Sequence, residues 1–112
     1  MLAPQPDLLQ GTLDLLILKS LQVGPLHGWA ISRRIQQMSS DVLVVNQGSL
    51  YPALYRLEDR GWIAARSALS DEGRRIRVYR LTAAGRRQLD TEADTWERYA
   101  RVVGRILATR TA

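Results

Sequence analysis

Gln47, Ser49, Tyr51, Pro52 and Arg56 lie in one short segment, interleaved with Leu50, Leu54 and Leu57 at spacings i, i+4 and i+7. The leucines make one stripe of an α-helix that packs on a core, which leaves amide, hydroxyl and guanidinium groups on the other side. Groups of this kind donate to phosphate oxygens and base edges, so the chemistry on offer is recognition of a polyanion. Ser49 and Tyr51 suit phosphate, Gln47 suits adenine and Arg56 suits guanine, while the helix N-terminus adds its own amides. Ser49 serves equally well as part of the helix cap. Arg74 and Arg75 follow the turn Ser70-Asp71-Glu72-Gly73 and bring two more guanidinium groups on an adjacent hairpin. Arg33 and Arg34 on the preceding helix are candidate backbone contacts, with a solvated face as the equal alternative. Tyr55 is expected to pack at the helix edge, and Glu58, Asp59 and Arg60 to form only a solvated helix end.

Other chemistries find little support. The chain has a single histidine, His27, and no cysteine, so neither a thiolate metal site nor a disulfide is expected. There is no nucleophile–base pair and no phosphate-binding glycine loop, so no catalytic residue and no cofactor is assigned. His27 is expected to help start a helix.

Charge points the same way as the motif. The 112 residues carry 16 basic and 11 acidic side chains, a net +5. Residues 1–32 contribute −1, residues 33–87 contribute +6 and residues 88–112 contribute 0. The excess therefore falls on the segment that holds the polar helix and the hairpin. Arginine supplies 15 of the 16 bases. That suits phosphate and guanine recognition, although a GC-rich coding sequence is the simpler cause. With no basic-then-apolar leader and no apolar run near ~20 residues, a cytoplasmic protein without membrane association is expected.

Pro4 and Pro6 make residues 1–7 an irregular arm. A first helix follows from about Leu8 to Gln22, apolar on almost every side, and Val23-Gly24-Pro25-Leu26 turns the chain. So much apolar surface exceeds what one small domain covers from one side and suggests a second subunit. A second helix is expected over about Gly28–Met38, with Trp29, Ile31, Ile35 and Met38 inward and Arg33, Arg34, Gln36 and Gln37 outward. Ser39-Ser40-Asp41 break it, and Val42 to Val45 form an extended linker. Asn46 caps the third helix, Pro52 bends it slightly and Gly61 ends it. Two strands, Trp62 to Leu69 and Ile76 to Leu81, form the hairpin, with Tyr79 and Leu81 on one face and Ile76 and Val78 on the other. Trp62 is expected in the core. The last helix is capped by Thr82 and runs from Ala83 to about Ala108, roughly 39 Å at ~1.5 Å per residue. Leu89, Trp96 and Val103 repeat every seven residues along it, with Ala93, Ala100 and Leu107 four residues after each. A stripe this long is expected to dimerise.

The order helix, helix, helix, hairpin, long helix resembles the PadR family of bacterial transcriptional regulators. The resemblance rests on Gly11-Thr12-Leu13-Asp14, His27-Gly28-Trp29, Gly48-Ser49-Leu50-Tyr51-Pro52-Ala53-Leu54 and Tyr79-Arg80-Leu81-Thr82-Ala83-Ala84-Gly85-Arg86, and it spans about residues 8–107. It is to the shorter branch, with a single C-terminal helix. Trp29 stands where the family usually has tyrosine, and Asp71 and Glu72 make the hairpin tip less purely basic. The resemblance implies a third helix in the major groove and a hairpin wing on phosphates or the adjacent minor groove. It also implies self-regulation and control of a neighbouring transporter or stress operon. In parts of the family a flat hydrophobic effector binds between the C-terminal and first helices, which makes Leu15, Lys19 and Trp96 a candidate pocket. A packed interface without a ligand is the preferred reading for a short member.

The expected fold is thus mainly α with a small β-hairpin, a winged helix-turn-helix plus a long C-terminal dimerisation helix. The expected division is an arm over 1–7, a DNA-binding unit over 8–81 and a dimerisation helix over 82–112, with Leu13, Ile17, Leu89, Trp96, Val103 and Leu107 at the interface. The expected function is a homodimeric, sequence-specific DNA-binding regulator, a repressor on an inverted repeat of double-stranded DNA. The alternative is a winged-helix protein-interaction module whose basic face meets an acidic partner.

Overall fold

Hydrophobic spacing and helix punctuation set the elements of the computed structural model, which describes residues 10–110. The expected arm, with Leu8 and Leu9, lies outside the described residues. Helix α1 spans Gln10–Ser20 and runs into a single 3-10 turn, Leu21–Val23. A two-residue strand, β1 (Leu26–His27), leads directly into α2 (Gly28–Met38). Helix α3 (Gln47–Asp59) is followed by β2 (Ile63–Leu69), β3 (Arg75–Leu81) and α4 (Ala83–Ala108). The strands form one antiparallel sheet in the order β1-β3-β2. The hairpin register pairs Ile63 with Leu81 at the base and Leu69 with Arg75 at the tip. Strand β1, which the turn Val23–Leu26 concealed, pairs Leu26 with Tyr79 and His27 with Val78. It straps the start of α2 to the wing.

The core is built where α1, α2 and α3 converge over the base of the sheet. Ile17, Leu18, Leu21, Ile31, Ile35, Leu50, Leu54, Leu57 and Ile63 are all fully buried. Helix α1 packs against α2, α3 and α4 of its own chain. This corrects the expectation that its apolar surface needs a second subunit: Leu13 and Ile17, and Leu89 on α4, are 4%, 0% and 4% exposed and belong to the internal core. Trp29 and Met38 are also corrected, being 51% and 46% exposed. Two residues of helix rotate ~200°, so Trp29 points away from the buried pair Ile31 and Ile35.

Caps and turns lie largely where residue types demand them. The Asn46 side chain accepts from the Ser49 amide at 2.8 Å, and α3 continues through Pro52. Helix α2 ends where Ser40 and Asp41 adopt left-handed backbone (φ 52° and 66°). The wing turn closes with the Ser70 amide donating to the Arg74 carbonyl at 2.8 Å and Gly73 at φ 79°. At the root of α4, the Thr82 hydroxyl accepts from the Gly85 amide at 3.0 Å and donates to the Gly61 carbonyl at 2.7 Å. A Cβ on Gly85 would meet the Trp62 carbonyl oxygen at 2.0 Å. No helix is long and apolar enough to cross a membrane among the described residues.

The two glycines of α4 should therefore respond oppositely to alanine. Gly85→Ala should cost at least the ~1–3 kcal/mol of an overpacked core. Gly104→Ala enters open space and should gain up to ~1 kcal/mol from helix propensity. Urea denaturation of both variants measures the contrast.

Candidate nucleic-acid interface

Helix α3 divides its residues cleanly. Leu50, Ala53, Leu54 and Leu57 are buried, whereas Gln47, Ser49, Tyr51, Pro52 and Tyr55 are exposed. The polar groups of its first turns thus stand on the surface, beside amides whose carbonyl partners the helix does not supply. Tyr51 lies against the start of α2, since a Cβ on Gly28 would come within 2.9 Å of its hydroxyl. Gly28 thus leaves open the space that the end of the Tyr51 ring occupies. Tyr55, expected to pack at the helix edge, is instead 70% exposed.

Arg56 is placed differently from its expected role. Its guanidinium donates to Asp14 of α1 at 2.8 Å, with the two side chains 29% and 11% exposed. The arginine therefore points to the α1 side of the helix and fastens α3 to α1 instead of presenting a fork to a base. Glu58 and Arg60 are likewise more than a solvated helix end. Glu58 accepts from Arg77 of β3 at 2.6 Å, and Arg60 stacks 5.2 Å from the centroid of Trp62. Trp62 is partly buried against the core. The hydrogen bond and charge of Glu58 push the Arg77 guanidinium further toward its protonated form. Burial raises the neighbouring Tyr79 phenol above its ordinary value.

Arg74 and Arg75 are exposed at the wing tip. Arg75, with His27, Trp29, Tyr51 and Tyr79, lines a cleft of about 330 Å³ between the wing and the starts of α2 and α3. Arg33 lies 4.8 Å over the Trp29 ring. Arg34 is half-buried on the same helix. Trp29 is the residue that sequence reasoning placed elsewhere. Its helical angle carried the signal, but its apolar type outweighed it.

A second surface lies along α4. From Asp94 to Thr109 every residue except Val103 is exposed. The apolar part of this run comprises Trp96, Tyr99, Val102, Ile106 and Leu107, of which Leu107 is 80% exposed. Leu15, Lys19 and Trp96 line one groove of about 310 Å³ between α1 and α4. A second groove of about 300 Å³ also touches Leu15 and Trp96. The described residues contain no group of three or more His, Cys, Asp or Glu arranged to hold a metal ion.

A helical core carrying a capped, polar third helix and a two-stranded hairpin beside it is a winged helix-turn-helix. The chain belongs to the PadR-like family of transcriptional regulators, whose model matches residues 17–91. It is 41% identical over 68 residues to a transcriptional regulator of Mycobacterium tuberculosis, covering 61% of this chain and 63% of that protein. It is 42% identical over 93 residues to a 37.1 kDa protein carried on a transposon of Streptomyces fradiae, covering 83% of this chain and 24% of that one. The chain thus spans about a quarter of the one relative and under two thirds of the other. A solved transcriptional regulator from Clostridium thermocellum superposes with a TM-score of 0.79 at 28% identity, covering 86% of this chain and 93% of that one. A PadR family regulator from Eggerthella lenta gives 0.77 at 28% identity, covering 90% and 86%. Members of this family regulate transcription and are not enzymes.

The two ion pairs should differ in weight. Asp14→Ala leaves a half-buried guanidinium without its partner and should cost about 1–3 kcal/mol. Glu58→Gln removes an exposed, solvent-screened pair and should cost clearly less. Chemical denaturation of the two variants ranks the pairs.

Proposed function

We propose that the chain is a homodimeric transcriptional repressor that reads an inverted repeat in double-stranded DNA. The observation that carries this reading is the exposed polar start of α3, standing beside the wing arginines in the segment that holds the charge excess. In this reading Gln47 reads a base edge, while Ser49 and Tyr51 donate to phosphate and Pro52 lies against the groove wall. Arg74 and Arg75 touch the backbone or the adjacent minor groove, and Arg33 and Arg34 supply further backbone contacts. Arg56 is left out because Asp14 holds it.

The exposed stripe of α4 supports pairing with a second copy. Beyond Arg86 and Arg87 near the start of α4 its charges are segregated: Asp90, Glu92, Asp94 and Glu97 are followed by Arg98, Arg101 and Arg105, with Arg110 just past the helix end. Two copies packed antiparallel, crossing near residues 97 and 98, set each acidic run against a basic one, whereas a parallel pair sets like against like. The interface then uses Trp96, Tyr99, Val102, Val103, Ile106 and Leu107, with residues 8–81 as the reading unit and 82–112 as the pairing helix. Twofold symmetry brings two α3 helices to successive major grooves, about 34 Å apart. Occupancy of the operator suffices for repression. The groove of Leu15, Lys19 and Trp96 is read as a packed part of the dimer without a ligand. A reducing cytoplasm suits a chain without cysteine.

Selection of bound fragments from the source genome, with purified protein at physiological salt, is the decisive experiment. Recovery of a short inverted repeat is expected. Fragments without a shared motif would favour a basic interaction module instead. Replacing both Arg74 and Arg75 by alanine should weaken binding to every duplex and lower the salt slope by about 2. An unchanged slope removes the wing from the contact set. Trp96→Asp should yield monomers in sedimentation analysis and abolish specific binding, and a dimer that survives it places the interface elsewhere.

A further inference from the structure

We propose that the cleft between the wing and α2 seats the sugar–phosphate backbone of one DNA strand, with Trp29 as its apolar wall. This assignment rests on the DNA-binding reading above and adds a contact residue to it. Tyr51 of α3 and Arg75 of β3 line the same cleft as Trp29. A duplex that meets both the reading helix and the wing must therefore pass across the indole.

The lining fits a backbone. Arg75 supplies a guanidinium and Tyr51 a hydroxyl group, both donors to phosphate oxygens, while the buried Tyr79 closes the inner side of the cleft. Among the described residues no acidic side chain lines the cleft to repel a phosphate. Arg77 reaches it too, but Glu58 neutralises that charge, so the net cation facing the strand is Arg75. The apolar face of a deoxyribose needs a flat partner, which the half-exposed indole provides. Trp29 is also held in place before any ligand arrives. Arg33 lies 4.8 Å over its ring, His27 stands edge-on at 6.1 Å, and His27 is fixed by its pairing with Val78. A preorganised aromatic loses little side-chain freedom on binding.

The test uses the whole chain labelled with 5-fluorotryptophan, whose three indole resonances are assigned by single Trp→Phe replacements. On titration with a duplex recovered by the genomic selection, the Trp29 resonance should shift while those of Trp62 and Trp96 stay in place. Trp29→Ala should weaken binding to the recovered duplex and to a duplex of unrelated sequence alike, by roughly tenfold, and Trp29→Phe should restore much of the loss. Binding with a stationary Trp29 resonance overturns the seat and leaves the DNA-binding reading intact. Failure of the unmodified protein to bind any duplex overturns both. The fluorine spectrum of the unmodified chain decides the matter even where a variant folds poorly.

Discussion

The junction around Thr82 sets the geometry on which the other surfaces depend. One side chain caps α4, bonds the Gly61 carbonyl at the end of α3, and sits on a backbone whose amide donates to the Trp62 carbonyl at 3.1 Å. Gly85 completes the joint by having no Cβ where that carbonyl lies. The end of α3, the first strand of the wing and the root of α4 are thereby joined at one point. The direction in which α4 leaves the domain is fixed relative to the direction in which α3 presents its polar face. In the proposed dimer, the separation of the two reading helices follows from this joint.

Electrostatics divides into fixed and available charge. Two arginines of the basic segment are committed within the protein, Arg56 to Asp14 and Arg77 to Glu58. The first pair is half-buried and ties α1 to α3, while the second is exposed and ties the wing to α3. Arg60 covers Trp62 and Arg33 covers Trp29, so both use their planar groups on aromatic faces. Each of the two ion pairs removes one cation from those free to meet a phosphate, so the formal charge of the segment overstates them. Arg74 and Arg75 remain as the guanidinium groups at the wing tip.

Local signals were legible in the residues, and long-range ones were not. Asn46 and Thr82 announce their helices because a cap is a contact across three residues. The bounds of α4 and the alternation along β3 followed from equally local patterns. The winged helix-turn-helix itself was legible in the order of elements and in the motif around Tyr51. Arg56 reads as a base contact in the sequence because its partner, Asp14, lies on another helix and no periodicity links the two. Leu13, Ile17 and Leu89 read as dimer-interface residues because counting apolar faces does not reveal that α2, α3 and α4 surround α1. Strand β1 has no signature in the sequence because a two-residue strand has no period, and its pairing depends on β3, far along the chain.

The separation of faces on α3 bears on how such a protein changes its target over evolutionary time. The inward leucines hold the fold and the outward residues do not, so Gln47, Ser49 and Pro52 stand free of the core and can drift without unfolding the domain. Tyr51 differs in one respect, because its hydroxyl lies where a side chain at position 28 would need space. A side chain at position 28 therefore requires a change at position 51, while position 51 can become smaller alone. On the proposed reading face a new sequence preference is open to single substitutions, and only a change at position 28 calls for a compensated pair.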